Sequence, residues 1–130
     1  MAQLESDIVH PSLGRAEVLV VEDEPFIAMD LVYAVEDANG MPVGPAATVR
    51  QALAMVKAQD IKAAILDVNL PDGDVGPVLE ALIERSAAVV VHTGTALPPE
   101  VRVRFPQVPI YAKPTPAVVL TSRLASELKR

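Results

Sequence analysis

Three short runs of this chain are aliphatic almost without interruption: "EVLVV" at 17–21, "AAIL" at 63–66 and "AAVVVH" at 87–92. A strand with one wet face alternates apolar and polar residues. A strand buried on both faces does not, and such strands belong to parallel sheets covered by helices on either side. The segments between the runs have helical spacing. After the first, Ile27, Leu31, Ala34, Val35 and Ala38 recur on one face, with Pro25 suited to a helix start and Gly40 to a stop. "TVRQALAMVKAQ" predicts a helix with Thr48 and Gln51 spaced as a capping box. "VGPVLEALIER" predicts another, capped by Asp74. "PAVVLTSRLASELKR" predicts the last, with Leu120, Leu124 and Leu128 on one face. Two weaker strands complete the series: "MPVGPAA" (41–47), whose prolines suit a sheet edge, and "PIYA" (109–112). Strand and helix alternate five times. Right-handed crossovers then dictate an α/β fold with a parallel sheet and helices on both faces.

A length of 130 residues allows one domain. Two Phe, two Tyr and no Trp leave the core to Val, Leu, Ile and Ala, as the strand runs require. The net charge of −6 argues against a nucleic-acid surface, which needs clustered cations. The absence of cysteine excludes disulfides and thiolate metal sites. No apolar run approaches the roughly 18 residues of a membrane span, and the N-terminus lacks the pattern of a signal peptide. A cytoplasmic protein without membrane or nucleic-acid partners is the expectation. Residues 1–16, broken by "HPSLG", read as a flexible lead-in to a domain over 17–130.

In parallel α/β sheets, functional groups collect beyond the carboxyl ends of the strands. That rule gathers residues far apart in sequence. Glu22, Asp23 and Glu24 follow the first strand, Asp67 the third, Thr93 the fourth and Lys113 the fifth. Close carboxylates repel unless a cation neutralises them. A site of oxygen donors without His or Cys favours Mg²⁺. A carboxylate can attack phosphorus to form an aspartyl phosphate, and an ammonium and a hydroxyl can stabilise the incoming phosphoryl oxygens. Taken singly, each residue has an ordinary reading: an acidic turn before a helix, a strand-end aspartate, a strand exit, a surface lysine. Their convergence on one rim favours chemistry. Asp72 before Gly73 reads as a turn residue, His92 as a neighbour of the site without a metal role, and Arg102 and Arg104 as solvated or partner-facing.

Four pieces in this order, "VLVVEDEP", "AILDVNLPDGD", "VVVHTG" and "YAKP", resemble the response-regulator receiver domain over about residues 17–129. The resemblance implies a flavodoxin-like, doubly wound five-stranded parallel sheet of order 2-1-3-4-5. It also implies roles. Glu22, Asp23, Asp67 and the backbone carbonyl of Asn69 would hold Mg²⁺, with the Asn69 side chain replaceable. Asp67 would accept a phosphoryl group from a histidine kinase or phosphotransfer protein, and Thr93 and Lys113 would sense it. A cis peptide would fall at Lys113–Pro114. Output would run through an unidentified downstream protein, or the chain would drain phosphate as a sink. With no effector segment after the last helix, a stand-alone signalling module rather than an enzyme is expected. "VEDEPFIAMDL" and "GPAATV" are similar to receivers associated with HWE-type histidine kinases, and "TG" to alphaproteobacterial single-domain receivers with a Phe-Ala-Thr-Gly motif, matched here only in part. Two rivals remain: a receiver-like binding module that is not phosphorylated, and an aspartate-nucleophile phosphohydrolase of the haloacid dehalogenase type. The second fits poorly, because its nucleophile follows strand one in an Asp-x-Asp pattern.

Two departures from the receiver pattern stand out. Receivers usually carry an aromatic residue three before the lysine, where this chain has Ile110. Tyr111 comes one place later and should face the opposite side of the sheet. Four prolines between Gly94 and Ile110 predict a short or irregular fourth helix. Gly94 itself should leave the phosphoryl pocket open.

Overall fold

The computed structural model describes residues 11–129. Five strands form one parallel sheet: β1 (Glu17–Val21), β2 (Met41–Ala46), β3 (Ala63–Leu66), β4 (Ala88–Thr93) and β5 (Ile110–Ala112). Their spatial order is β2-β1-β3-β4-β5, the doubly wound order expected. A helix follows each strand: α1 (Pro25–Asp37), α2 (Val49–Ala58), α3 (Gly76–Glu84), α4 (Pro99–Arg104) and α5 (Ala117–Leu128).

The strand alternation sorts the core into two halves. Leu19, Val21, Ala64, Leu66, Val89 and Val91 face α2, α3 and α4, where Val56, Leu79, Leu82 and Val101 meet them. Val18, Val20, Ala63, Ile65 and Val90 face α1 and α5, against Leu31, Val35, Leu120 and Leu124. Both faces of the central strands are therefore dry, which is why their sequence does not alternate. Register is continuous, with Val21 beside Leu66 and Leu66 beside Val91, so β1 and β3 end at one level and β4 runs two residues further, to Thr93.

The edge strand β2 has a built irregularity. Its register with β1 shifts between Leu19 and Val21. Gly44 sits there at φ +97°, and an added Cβ would meet Ala46 N at 2.8 Å and Val20 O at 3.0 Å. Only glycine fits both constraints. The Gly44–Pro45 and Lys113–Pro114 peptides are cis, the second as expected from the resemblance.

Helix α4 is short, as its prolines predict: six residues, with Val101 buried. Two expectations shift. The left-handed residue ending α1 is Asn39 (φ +65°), not Gly40. The N–H groups of Asn39 and Gly40 close onto Glu36 O and Val35 O in a Schellman turn. Gly40 sits in close quarters instead: a Cβ there would lie 2.7 Å from Leu13 Cδ1 and 2.9 Å from Val35 Cγ1, and those side chains would have to shift. The Leu13 contact bears on the lead-in read over 1–16. Residues 1–10 lie outside the described residues; within 11–16, Leu13 and Ala16 are tied to the domain. Leu13 is buried and its N–H donates to Ala38 O, while Ala16 O accepts from Met41 N. No helix among the described residues is long and apolar enough to cross a membrane.

Candidate functional site

The ends of β1, β3, β4 and β5 bring Glu22, Asp67, Thr93 and Lys113 together. Glu22, Asp67 and Thr93 are buried, at 2%, 7% and 4% exposure. The Lys113 ammonium lies 2.9 Å from Glu22 Oε1 and 3.2 Å from Asp67 Oδ2. Its tie to Asp67 spans 46 positions of sequence. Asp67 Oδ1 accepts the N–H of Val68 at 2.7 Å, and Glu22 Oε2 accepts the N–H of Glu24 at 3.1 Å. Glu24 turns away from this pocket: its carboxylate caps α1 at Phe26 N.

Electrostatics set the protonation states. Burial pushes the Glu22 carboxyl above its ordinary range; the Lys113 ammonium and the Glu24 N–H pull it back only in part, and the Asp67 charge adds to the rise. For Lys113 burial works against the charge, but Glu22 and Asp67 outweigh it and raise the pKa, so the ammonium stays charged.

A cation fits this pocket. One oxygen each from Glu22, Asp23 and Asp67 lies within 4.8 Å of the others. Three carboxylates face one ammonium, so the pocket stays electronegative. Glu22 Oε1 is buried and meets the Lys113 ammonium at 2.9 Å, off the best hydrogen-bond alignment. An all-oxygen donor set of this kind suits a hard divalent ion such as Mg²⁺.

The Asn69 side chain, read from the sequence as replaceable, is engaged. Asn69 Nδ2 donates to Thr95 Oγ1 at 2.7 Å, and the Thr95 N–H donates to Thr93 Oγ1 at 3.1 Å. Thr95 thus links the loops after β3 and β4. Sequence reasoning passed over it, because a hydroxyl two places after Thr93 does not disclose the loop it meets. Asn69 and Leu70 also pair with Gly73 and Asp74 in a two-residue antiparallel hairpin. At its turn Asp72 accepts the N–H groups of Val49 and Arg50, at 2.7 and 3.1 Å. The turn residue is therefore also a cap for α2. Asp74 does not occupy the N-cap of α3, which is Val75, but its Oδ1 accepts the N–H of Gly76 at 2.8 Å.

Ile110 packs with the α2–α4 half of the core and Tyr111 with the α1–α5 half, as strand alternation predicts. The Tyr111 hydroxyl receives Arg123 Nη1 of α5 at 3.4 Å. Tyr111 therefore does not replace a ring at position 110. An open cavity of about 390 Å³ lies beside Ile110, lined also by Thr93, Gly94 and Ala112. A Cβ on Gly94 would meet nothing nearer than Lys113 Cδ at 4.0 Å, so that side of the pocket is open. Arg104 pairs with Glu80 of α3 and sits over the Phe105 ring.

The family profile described as the response regulator receiver domain matches residues 18–108. The chain belongs to this receiver family. The matched stretch ends before Lys113, so the lysine's place in the receiver pocket rests on the geometry above. Among solved structures, the chain is 39% identical to SdrG from Sphingomonas melonis Fr1, over 88% of this chain and 97% of that one, with a TM-score of 0.73. A CheY-like receiver domain protein from Methanospirillum hungatei JF-1 shares the receiver fold at 21% identity, over 88% of this chain and 94% of that one, with a TM-score of 0.78. The response regulator PhyR from Brucella abortus superposes with a TM-score of 0.76 at 24% identity; 98% of this chain matches 54% of that one. The receiver chain therefore spans about half of that PhyR. No curated protein matches it.

Proposed function

We propose that the chain is the phosphoacceptor of a two-component phosphorelay, with Asp67 as the acceptor. The carrying observation is Asp67 itself: a buried carboxylate at the end of β3, with a charged lysine 3.2 Å away and a buried threonine at the end of the neighbouring strand. A carboxylate oxygen of Asp67 would attack the phosphorus of a phosphohistidine on a kinase or phosphotransfer protein. The P–N bond breaks as the P–O bond forms, and the imidazole leaves neutral, its other nitrogen carrying a proton taken from solvent. Lys113 would meet the charge on the transferred phosphoryl oxygens, and the Thr93 hydroxyl would donate to one of them. Glu22, Asp23, Asp67 and the Asn69 carbonyl would hold Mg²⁺, which when bound neutralises charge between donor and acceptor. Output by contact with a downstream protein, or service as a phosphate sink, follows from the receiver reading, as does a cytoplasmic setting.

The test is intact mass after incubation with Mg²⁺ and a small phosphodonor. The wild type should gain one phosphoryl group and Asp67→Ala none. No adduct on the wild type, together with no binding of beryllofluoride, would leave the non-phosphorylated binding module as the better reading.

A further inference from the structure

Beside Thr93 on β4, on the opposite face of the sheet, stands a buried residue that the phosphoryl chemistry leaves unused. His92 is 5% exposed and lies in register with Tyr111 of β5. Its Nε2 accepts the backbone N–H of Thr115 at 3.4 Å. Thr115 belongs to the turn that carries Lys113, and Pro114 between them has no N–H to offer. A neutral ring that accepts at Nε2 carries its proton on Nδ1, and Nδ1 is buried with no hydrogen-bond partner among the described residues. Burial, with the Lys113 charge, lowers the ring's pKa against the opposing effect of Asp67, consistent with this neutral form.

Packing alone does not fix the turn. Behind it lies a cavity of about 200 Å³, lined by Ile27, Asp30, His92, Lys113, Pro114 and Thr115 among others. On the rim side, Lys113 N–H is held by Thr93 O at 2.9 Å. Within the turn, the Thr115 hydroxyl donates to Ala112 O at 2.5 Å. The bond from the sheet interior to the far end of the turn is the one His92 makes.

We propose that His92 is a positioning residue: by holding Thr115, its Nε2 sets where the Lys113 ammonium stands over Asp67 and Glu22. This rests on the phosphoacceptor reading and adds to it a residue that never touches the phosphoryl group. The test compares rates of acyl-phosphate formation, with a small phosphodonor and Mg²⁺, in the wild type, His92→Gln, His92→Asn and His92→Leu. A glutamine oxygen reaches the region of Nε2; an asparagine oxygen stops a bond short. Both are neutral and polar, so they differ chiefly in reach. His92→Gln should keep the rate within about twofold, while His92→Asn and His92→Leu lose roughly tenfold, as misplaced reacting groups do. If His92→Leu does not fold, the Gln and Asn pair decides. Gln as slow as Asn, or rates that follow melting temperature rather than reach, would overturn the proposal. A phosphorylated wild type with equal rates in every variant overturns this inference alone. A wild type that accepts no phosphoryl group overturns the underlying reading as well.

Discussion

The Thr93 hydroxyl oxygen already accepts the N–H of Thr95, whose own hydroxyl accepts from Asn69. The Asn69–Thr95 bond is exposed, so each substitution that removes it should cost only about 0.5 kcal/mol. Asn69→Ala and Thr95→Val break the same bond. Their double variant should therefore be no less stable than either single one, against the sum expected of independent sites. Urea unfolding of the four proteins measures this. His92 gives a second residue-scale expectation. Its folded pKa is depressed below 6.5, chiefly by burial. The unfolded chain then takes up a proton first as pH falls. The stability tied to the neutral ring is complete above pH 6.5 and declines below it towards the folded pKa. In His92→Gln that part of the slope between pH 7 and 5 should vanish from the thermal unfolding profile.

At the scale of elements, α2 shows how a helix can depend on a residue far away. Thr48 caps it locally, with its side chain accepting from Gln51 N. Asp72, 23 positions after Val49, supplies two further acceptors. The same N–H groups, first that of Val49, lower the Asp72 pKa below its ordinary 3.8. The contribution is present above about that pH and is lost as pH falls through the folded value. Asp72→Ala should lower the melting temperature at pH 7 by a few degrees, and the difference from wild type should shrink in acid. In β2, Gly44→Ala should cost about 1–3 kcal/mol, because a Cβ there meets backbone on two sides at positive φ. These elements also show what the sequence can and cannot disclose. β1, β3 and β4 are legible because burial on both faces writes an uninterrupted aliphatic run. The rim residues Glu22, Asp67, Thr93 and Lys113 are legible because parallel topology forces strand ends together. The Asp72 cap, the Thr95 bridge and the Leu13 anchor are not, because each depends on a side-chain contact between loops whose approach no local pattern records.

Across the whole molecule, the carboxylate pocket sets function against stability. Glu22 and Asp67 sit buried at the top of the central strands, with Asp23 beside them and Lys113 the ammonium between them. Folding must assemble the Glu22 and Asp67 charges where water screens them poorly, with the exposed Asp23 at their edge, so the metal-free domain holds repulsion that a hydrophobic rim would not. A divalent cation that binds only the assembled pocket returns that energy by mass action, about 2.7 kcal/mol when its concentration is a hundredfold above Kd. Adding Mg²⁺ should therefore raise the melting temperature of the wild type, with EDTA reversing the rise. Asp23→Asn separates the two effects. It removes one repelling charge and keeps the shape, so without metal it should melt at or above the wild-type temperature. With one fewer carboxylate it should gain little from Mg²⁺, and in saturating metal the wild type should be the more stable. Calorimetric scans of both proteins with and without Mg²⁺ give the comparison. If Mg²⁺ shifted both equally, the stabilisation would come from somewhere other than this pocket.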